Sequence, residues 1–127
     1  MKNKWLGLSE RSQKIWLTVI LIIYIGLMIF GAAYSRPQDI PIFSGHTKYF
    51  HFFGFAVLAI LILKTLEIYR FKQKILLSAI VVVLFAIFTE CMQLYVATRE
   101  FAYTDMLIDV AGGILGWGLY TWISSRR

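Results

Sequence analysis

Seven residues that could do chemistry lie in two short stretches of an otherwise apolar sequence. They are one imidazole, three carboxylates, two cations and one amide: Lys48, His51, Glu90, Gln93, Arg99, Asp105 and Asp109. Charge in hydrocarbon is costly, so these groups need water, partners or a function. Carboxylates beside a histidine could carry out general acid–base chemistry, and the same atoms could ligate a divalent cation. The two cations could instead hold a phosphate or carboxylate head group.

These chemistries divide the seven residues into two groups. The candidate acid–base residues are Glu90, Asp105 and His51. The candidate substrate-binding residues are Lys48, Gln93, Arg99 and Asp109. Structural roles compete with both groups, since polar residues can join helices, cap them or anchor them at the membrane surface. The sequence has no glycine-rich phosphate loop, serine nucleophile elbow or HExxH pattern. Whether the protein is an enzyme, and whether it binds a metal, therefore stay open.

The composition indicates a membrane protein. The chain has 127 residues, enough for one domain, with 59% hydrophobic and 16% charged residues and a mean hydropathy of +0.70. Soluble domains are about half apolar and a quarter charged. Cys91 is the single cysteine, which excludes an intramolecular disulfide or a multi-cysteine metal site.

Four apolar runs predict an all-α bundle of four transmembrane helices within one domain, residues 1–127. The predicted spans are residues 15–34, 50–66, 75–97 and 104–123, joined by a loop at 35–49 and two short connections. Each span approaches the roughly 20 residues that cross a bilayer as a helix. The first span exceeds the ~7–15 apolar residues of a signal peptide, so we expect it to be retained.

The basic residues predict the orientation of these spans. Ten fall on one side, in the N-terminal segment, around the connection between the second and third spans, and at the C-terminus. Only Arg36, Lys48 and Arg99 fall on the other side. Because basic residues collect in the cytoplasm, we expect both termini to be cytoplasmic and loop 35–49 to be outside. Their dispersal around three segments also argues against a nucleic-acid partner.

Helical spacing predicts how the polar residues meet. One face of the fourth span carries Asp105, Asp109, Gly112 and Gly116, and one face of the third carries Ala86, Glu90, Gln93 and Ala97. Small residues allow helices to approach closely, and polar ones then bond across the contact. We therefore expect the third and fourth helices to pack as an antiparallel pair through these faces. With Lys48 and His51 at the start of the second helix, they would form an outward-facing polar cavity.

The same residues resemble a known family. The run Glu90-x-x-Gln93, Arg99, Asp105, Asp109, Gly112-Gly113 and Gly116, with Lys48-Tyr-Phe-His51-Phe upstream, is similar to the signature of VanZ-like small bacterial membrane proteins. The resemblance covers roughly residues 15–123. It departs at Thr47, where relatives often have Asp, and at Asp109, where they often have Asn.

The resemblance implies a multi-pass protein of the bacterial cytoplasmic membrane. The family's founding member is associated with low-level resistance to teicoplanin, a glycopeptide that binds cell-wall precursors outside the membrane. Three functions stay open: a resistance factor engaging a lipid-linked cell-wall precursor or lipoglycopeptide, an enzyme acting on a lipid-linked head group, or a non-catalytic membrane partner protein. The bilayer is the expected environment in each case, and the oligomeric state is left undetermined.

Overall fold

A computed structural model describes residues 7–34, 47–96 and 103–126, which form four helices. They are α1 (Glu10–Tyr34), α2 (Thr47–Ile68), α3 (Lys74–Val96) and α4 (Tyr103–Ser125). This confirms the predicted all-α architecture, with the helices at the positions expected from the four apolar runs. Most of the predicted outer loop, residues 35–46, and the turn carrying Arg99 lie outside the described residues. The cytoplasmic position of the termini stays a prediction.

Each helix is long and apolar enough to cross a membrane. Suitable stretches of 22, 18, 19 and 20 residues occur in α1 to α4. Large apolar side chains point away from the bundle: Ile22, Leu27, Leu84 and Leu107 are each more than 60% exposed. Polar side chains such as Ser78, Glu90 and Asp109 are instead fully or almost fully buried. Apolar groups outside and polar groups inside are what a lipid environment favours, so the chain is built as a multi-pass membrane protein.

Local hydrogen bonds cap the beginning of α1 and the end of α2. Ser9 precedes α1, and its Oγ accepts a hydrogen bond from the backbone N–H of Ser12 at 3.2 Å, as a helix N-cap does. At the end of α2, the backbone N–H of Phe71 donates to the Leu66 carbonyl, and that of Arg70 to the carbonyl of Glu67. Arg70 has a φ of 62°, so it is the left-handed residue of a Schellman motif. This turn reverses the chain into α3.

Helix α2 lies at the centre of the bundle and contacts the other three helices. Its buried residues Phe55, Leu58, Ala59 and Ile62 form most of the core. The most extensive helix–helix contact is between α2 and α4. These two helices run parallel, because residues 52 and 56 of α2 meet residues 112 and 116 of α4 in the same order.

The glycine face of α4 packs on α2, so the predicted pairing of that face with α3 is wrong. A Cβ added at Gly112 would overlap the backbone carbonyl oxygen of Phe52, and one at Gly116 would overlap that of Ala56. The reason is steric. A glycine face lets two backbones touch only where the partner helix also presents small groups, and α2 offers Ala56 and Ala59 there.

Helix α3 does pack antiparallel to α4, but through neighbouring residues. The indole N–H of Trp117 donates to the buried Ser78 hydroxyl at 2.8 Å. One turn earlier in α4, a Cβ at Gly113 would lie 2.9 Å from Cγ1 of Val82. From the first pair to the second, the residue number rises by four in α3 and falls by four in α4. The two helices therefore run antiparallel in this register.

Candidate functional site

The best-defined polar contact joins His51 and Asp109. The Nδ1 atom of His51 lies 2.9 Å from Oδ1 of Asp109. Parallel packing brings the two together, because both residues lie near the beginning of their helices, His51 in α2 and Asp109 in α4. The close contact of Gly112 with Phe52, next to His51, holds the backbones near enough for the side chains to meet.

The two partners differ in accessibility. The Asp109 side chain is fully buried, whereas 18% of the His51 side chain is exposed. A buried carboxylate requires hydrogen-bond donors to offset its lost hydration, and the imidazole supplies one. The imidazole is therefore the member of the pair that a molecule outside the bundle can reach.

Glu90 is the second buried carboxylate at this end of the bundle. It is 1% exposed and continues an i+4 row along α3 whose other members, Ser78, Val82 and Ala86, are also buried. Glu90 lies twelve residues beyond Ser78, and the α4 residue twelve before Trp117 is Asp105 (117 − 12 = 105). The register from the Ser78–Trp117 bond therefore sets Glu90 level with the first turn of α4, about one helical turn (~6 Å along the axis) from the level of Asp109.

Four of the seven predicted site residues cannot be placed by their side chains. Lys48, Gln93 and Asp105 belong to α2, α3 and α4 respectively, but their side chains lie outside the described part of the structure, and so does all of Arg99. Their convergence with the His51–Asp109 pair stays a prediction. Among the side chains that are described, no group of three or more His, Cys, Asp or Glu residues is arranged to hold a metal ion. Metal binding stays open as well.

The pairing of His51 with Asp109 was not anticipated from the sequence. Both residues were candidates, but the glycine face that carries Asp109 was assigned to α3, which left His51 without a named partner. The signal that could have found it is the small pair Ala56 and Ala59 in α2, spaced to receive Gly116. When Gly116 is aligned with Ala56, each residue of α4 lies beside the α2 residue 60 positions earlier. This alignment places Asp109 close to His51.

Buried hydroxyls in α2 and α3 are satisfied within their own helices. Thr89, beside Glu90, donates to the Ala86 carbonyl of its own helix at 3.0 Å, and Thr65 donates to the Leu61 carbonyl at 2.7 Å. Such bonds let a helix bury a hydroxyl in an apolar medium without an external partner. These threonines are structural, which separates them from the ionisable residues at the site.

The arrangement can present an oriented imidazole. When Asp109 is ionised, its carboxylate can only accept, so Nδ1 of His51 is the donor of this hydrogen bond; a protonated Asp109 would instead donate to Nδ1. Carboxylate-oriented histidines of this kind serve as general bases and as ligand-binding groups. Both uses are compatible with the geometry.

Comparison with protein-family models identifies the family of the chain. The model described as VanZ/LLP1 matches residues 6–124, a range that includes all four helices almost completely and all seven candidate residues. Comparisons with curated proteins and with solved structures give no match.

Proposed function

Because the chain belongs to the VanZ/LLP1 family, we propose that it acts on the outer side of the bacterial cytoplasmic membrane. It engages a cell-envelope lipid, a lipid-linked cell-wall precursor or a lipoglycopeptide through an outward-facing polar cavity, and so contributes to teicoplanin resistance. The observation that carries this proposal is the pairing of His51 with the buried Asp109 at 2.9 Å, inside a bundle whose outer surface is apolar.

Energetics support a functional role for this end of the bundle. Ionisable groups within membrane helices are rare and usually mark a binding or transport pathway. Asp109 and Glu90 are buried on different helices, about one helical turn apart along the bundle. If polar side chains were needed only to join the helices, hydroxyl or amide side chains could do so, and they cost less free energy to bury than carboxylates.

The orientation of the site follows from the basic residues. Ten of the thirteen lysines and arginines belong to the three segments that the sequence predicts to be cytoplasmic, whereas His51 belongs to the first turns of α2, next to the predicted outer loop. Because basic segments remain in the cytoplasm, the His51 end faces outward. Teicoplanin and its cell-wall target both lie on that side of the membrane, which is why the site and the family's resistance phenotype fit together.

Expression in a teicoplanin-sensitive host tests the proposal. The informative variants are His51→Ala and Glu90→Gln, and the matched control is Leu107→Ala, which trims a 68% exposed side chain on α4 two residues from Asp109. We expect the wild-type protein and the control to raise the minimal inhibitory concentration of teicoplanin and the two site variants not to. Equal tolerance for all four proteins, at equal amounts in the membrane, would refute the proposal.

A second candidate function is an enzyme that acts on a lipid-linked head group, and the His51–Asp109 pair favours it. In such an enzyme the oriented imidazole is the general base. Mass spectrometry of membrane lipids from cells with the wild-type protein and with His51→Ala distinguishes the two candidates. A lipid species that changes only with the wild-type protein indicates catalysis, whereas resistance with unchanged lipid pools indicates binding alone.

A further inference from the structure

The turn between α2 and α3 carries an inference about the end of the bundle opposite His51. Aromatic and basic residues alternate along it, and all but the last residue are exposed: Tyr69-Arg70-Phe71-Lys72-Gln73-Lys74. We propose that this turn binds the phosphates of anionic phospholipids in the adjacent leaflet, which the basic residues predict to be the cytoplasmic one. The proposal goes beyond the outer site and does not depend on it.

Arg70 occupies a position that glycine would fit better. Its backbone φ of 62° lies in the left-handed region, which is costly for a residue with a Cβ and accessible to glycine. Glycine is accordingly the usual left-handed residue of a Schellman motif. Non-glycine residues held in such conformations cluster at binding and active sites. The arginine side chain therefore supplies something to this turn that glycine could not.

The ion pair of Arg70 does not account for the arginine. One Nη atom of the guanidinium lies 3.5 Å from Oε1 of Glu10, but the two side chains are 80% and 53% exposed. Exposed ion pairs contribute little to stability. The same Oε1 atom lies 3.4 Å from Nζ of Lys14, so two cations share one carboxylate. Most of the guanidinium surface therefore faces the surroundings of the bundle, where an anion can reach it.

Further cations surround this arginine. Nζ of Lys14 lies 5.5 Å from the centre of the first aromatic ring of the turn, which places it beside the turn. Lys72 and Lys74 follow within the turn and at the start of α3. Four cations and one shared carboxylate leave an excess of three positive charges. The nearby carboxylate of Glu67 lies 4.0 Å from Nζ of Lys64, so this second pair adds no net charge. The turn is therefore electrostatically suited to an anion.

The aromatic residues favour a lipid over a soluble anion. Phe71 is 51% exposed and Tyr69 44%. Aromatic rings lie at the boundary between head groups and acyl chains, and the long basic side chains extend from that boundary toward the phosphates. Helix α3 begins at Lys74, so the positive end of its dipole faces the same layer. An anionic phospholipid matches both parts of the turn, its phosphate the cations and its acyl chains the rings, whereas a soluble partner would leave the rings unmatched.

Spin-labelled lipids measure this binding. The full-length protein is reconstituted at low salt in phosphatidylcholine bilayers that contain a trace of spin-labelled phosphatidylglycerol or spin-labelled phosphatidylcholine. Electron paramagnetic resonance then gives the fraction of each label that the protein immobilises. We expect the wild-type protein to prefer the phosphatidylglycerol label by at least about fivefold, because one cation near an anionic lipid surface contributes about that factor. Concentrated salt should remove the preference. Equal immobilisation of the two labels at low salt would overturn the proposal.

Arg70→Gly is the decisive variant because it separates lipid binding from folding. Glycine suits the left-handed turn, so we expect the variant to stay folded while its preference for phosphatidylglycerol falls by about fivefold. Arg70→Lys keeps the charge and should keep most of the preference. The matched control is Arg126→Ala, which removes one cation from α4 at the same end of the bundle, where the guanidinium carbon lies 4.3 Å from the centre of the Trp122 ring. An unchanged preference in Arg70→Gly, or an equal loss in Arg126→Ala, would refute the turn as the binding surface.

Discussion

Replacing Gly112 with alanine is the sharpest test of the α2–α4 contact. The new methyl group would overlap the carbonyl oxygen of Phe52 and lie 2.9 Å from its carbonyl carbon and 3.1 Å from its Cα. All three are backbone atoms, so no side-chain rotation relieves the clash and α4 must move away from α2. Overpacking of this kind costs about 1–3 kcal/mol, and occasionally more.

Two further terms adjust that figure. Alanine is better than glycine in a helix by up to about 1 kcal/mol, which opposes the clash. Displacing α4 also weakens the contact of Asp109 with His51, and polar contacts between membrane helices are worth about 0.6 kcal/mol on average, up to about 1.7. We therefore expect Gly112→Ala to lower the free energy of unfolding by about 1–3 kcal/mol.

Gly118→Ala is the matched control. Gly118 lies on the same helix, and a Cβ there would meet nothing within 4 Å, so only the helix-propensity gain applies. Unfolding of the purified proteins by sodium dodecyl sulfate in mixed micelles, followed by circular dichroism, measures both variants. Gly118→Ala should be as stable as the wild type or up to about 1 kcal/mol more stable. A Gly112→Ala protein as stable as Gly118→Ala would refute the close approach of α2 and α4.

Three smaller perturbations address other contacts in the same unfolding assay. Ser78→Ala removes the buried hydroxyl that accepts from the Trp117 indole N–H and should cost about 1 kcal/mol; no loss of stability would show that the bond does not hold α3 on α4. Tyr24→Phe removes the hydroxyl that donates to the Gly54 carbonyl at 2.7 Å and should cost about 0.6 kcal/mol, which a cross-linking assay between α1 and α2 can corroborate. Arg70→Gly relieves a left-handed backbone and should stabilise the protein by up to about 1 kcal/mol, because the ion pair it loses is largely exposed; destabilisation would contradict this.

The number and placement of the helices could be predicted because hydropathy is a local property. Each apolar run is long enough to span a bilayer, and charged residues or prolines interrupt the connections between runs. The helix ends exceed the predicted spans by a few residues, as at Glu10, where α1 continues into a polar turn capped by Ser9. Capping is decided by individual hydrogen bonds, to which a hydropathy window is insensitive.

The partner of each helix face could not be predicted in the same way. The spacing of Asp109, Gly112 and Gly116 shows that α4 has a face for close packing, but the glycines alone do not name the helix that fills it. That choice depends on the bulk presented by both neighbours. Helix α2 offers Ala56 and Ala59 at the right level, whereas α3 offers Val82, which packs beside Gly113. The sequence contains the residues that decide which helix packs on this face, but they are found only by comparing α4 with the small and large residues of both α2 and α3.

The same contact couples stability to the site. Gly112 lies three residues beyond Asp109 and Phe52 follows His51, so the approach that a glycine allows at residue 112 is also what brings the carboxylate to the imidazole. A methyl group at residue 112 should therefore weaken the contact between His51 and Asp109 and lower teicoplanin tolerance, although it touches neither ionisable group. A methyl group at residue 118 should leave both unchanged. If Gly112→Ala lost stability but kept teicoplanin tolerance, the pair would be held by its own hydrogen bond and not by the packing of α4 on α2.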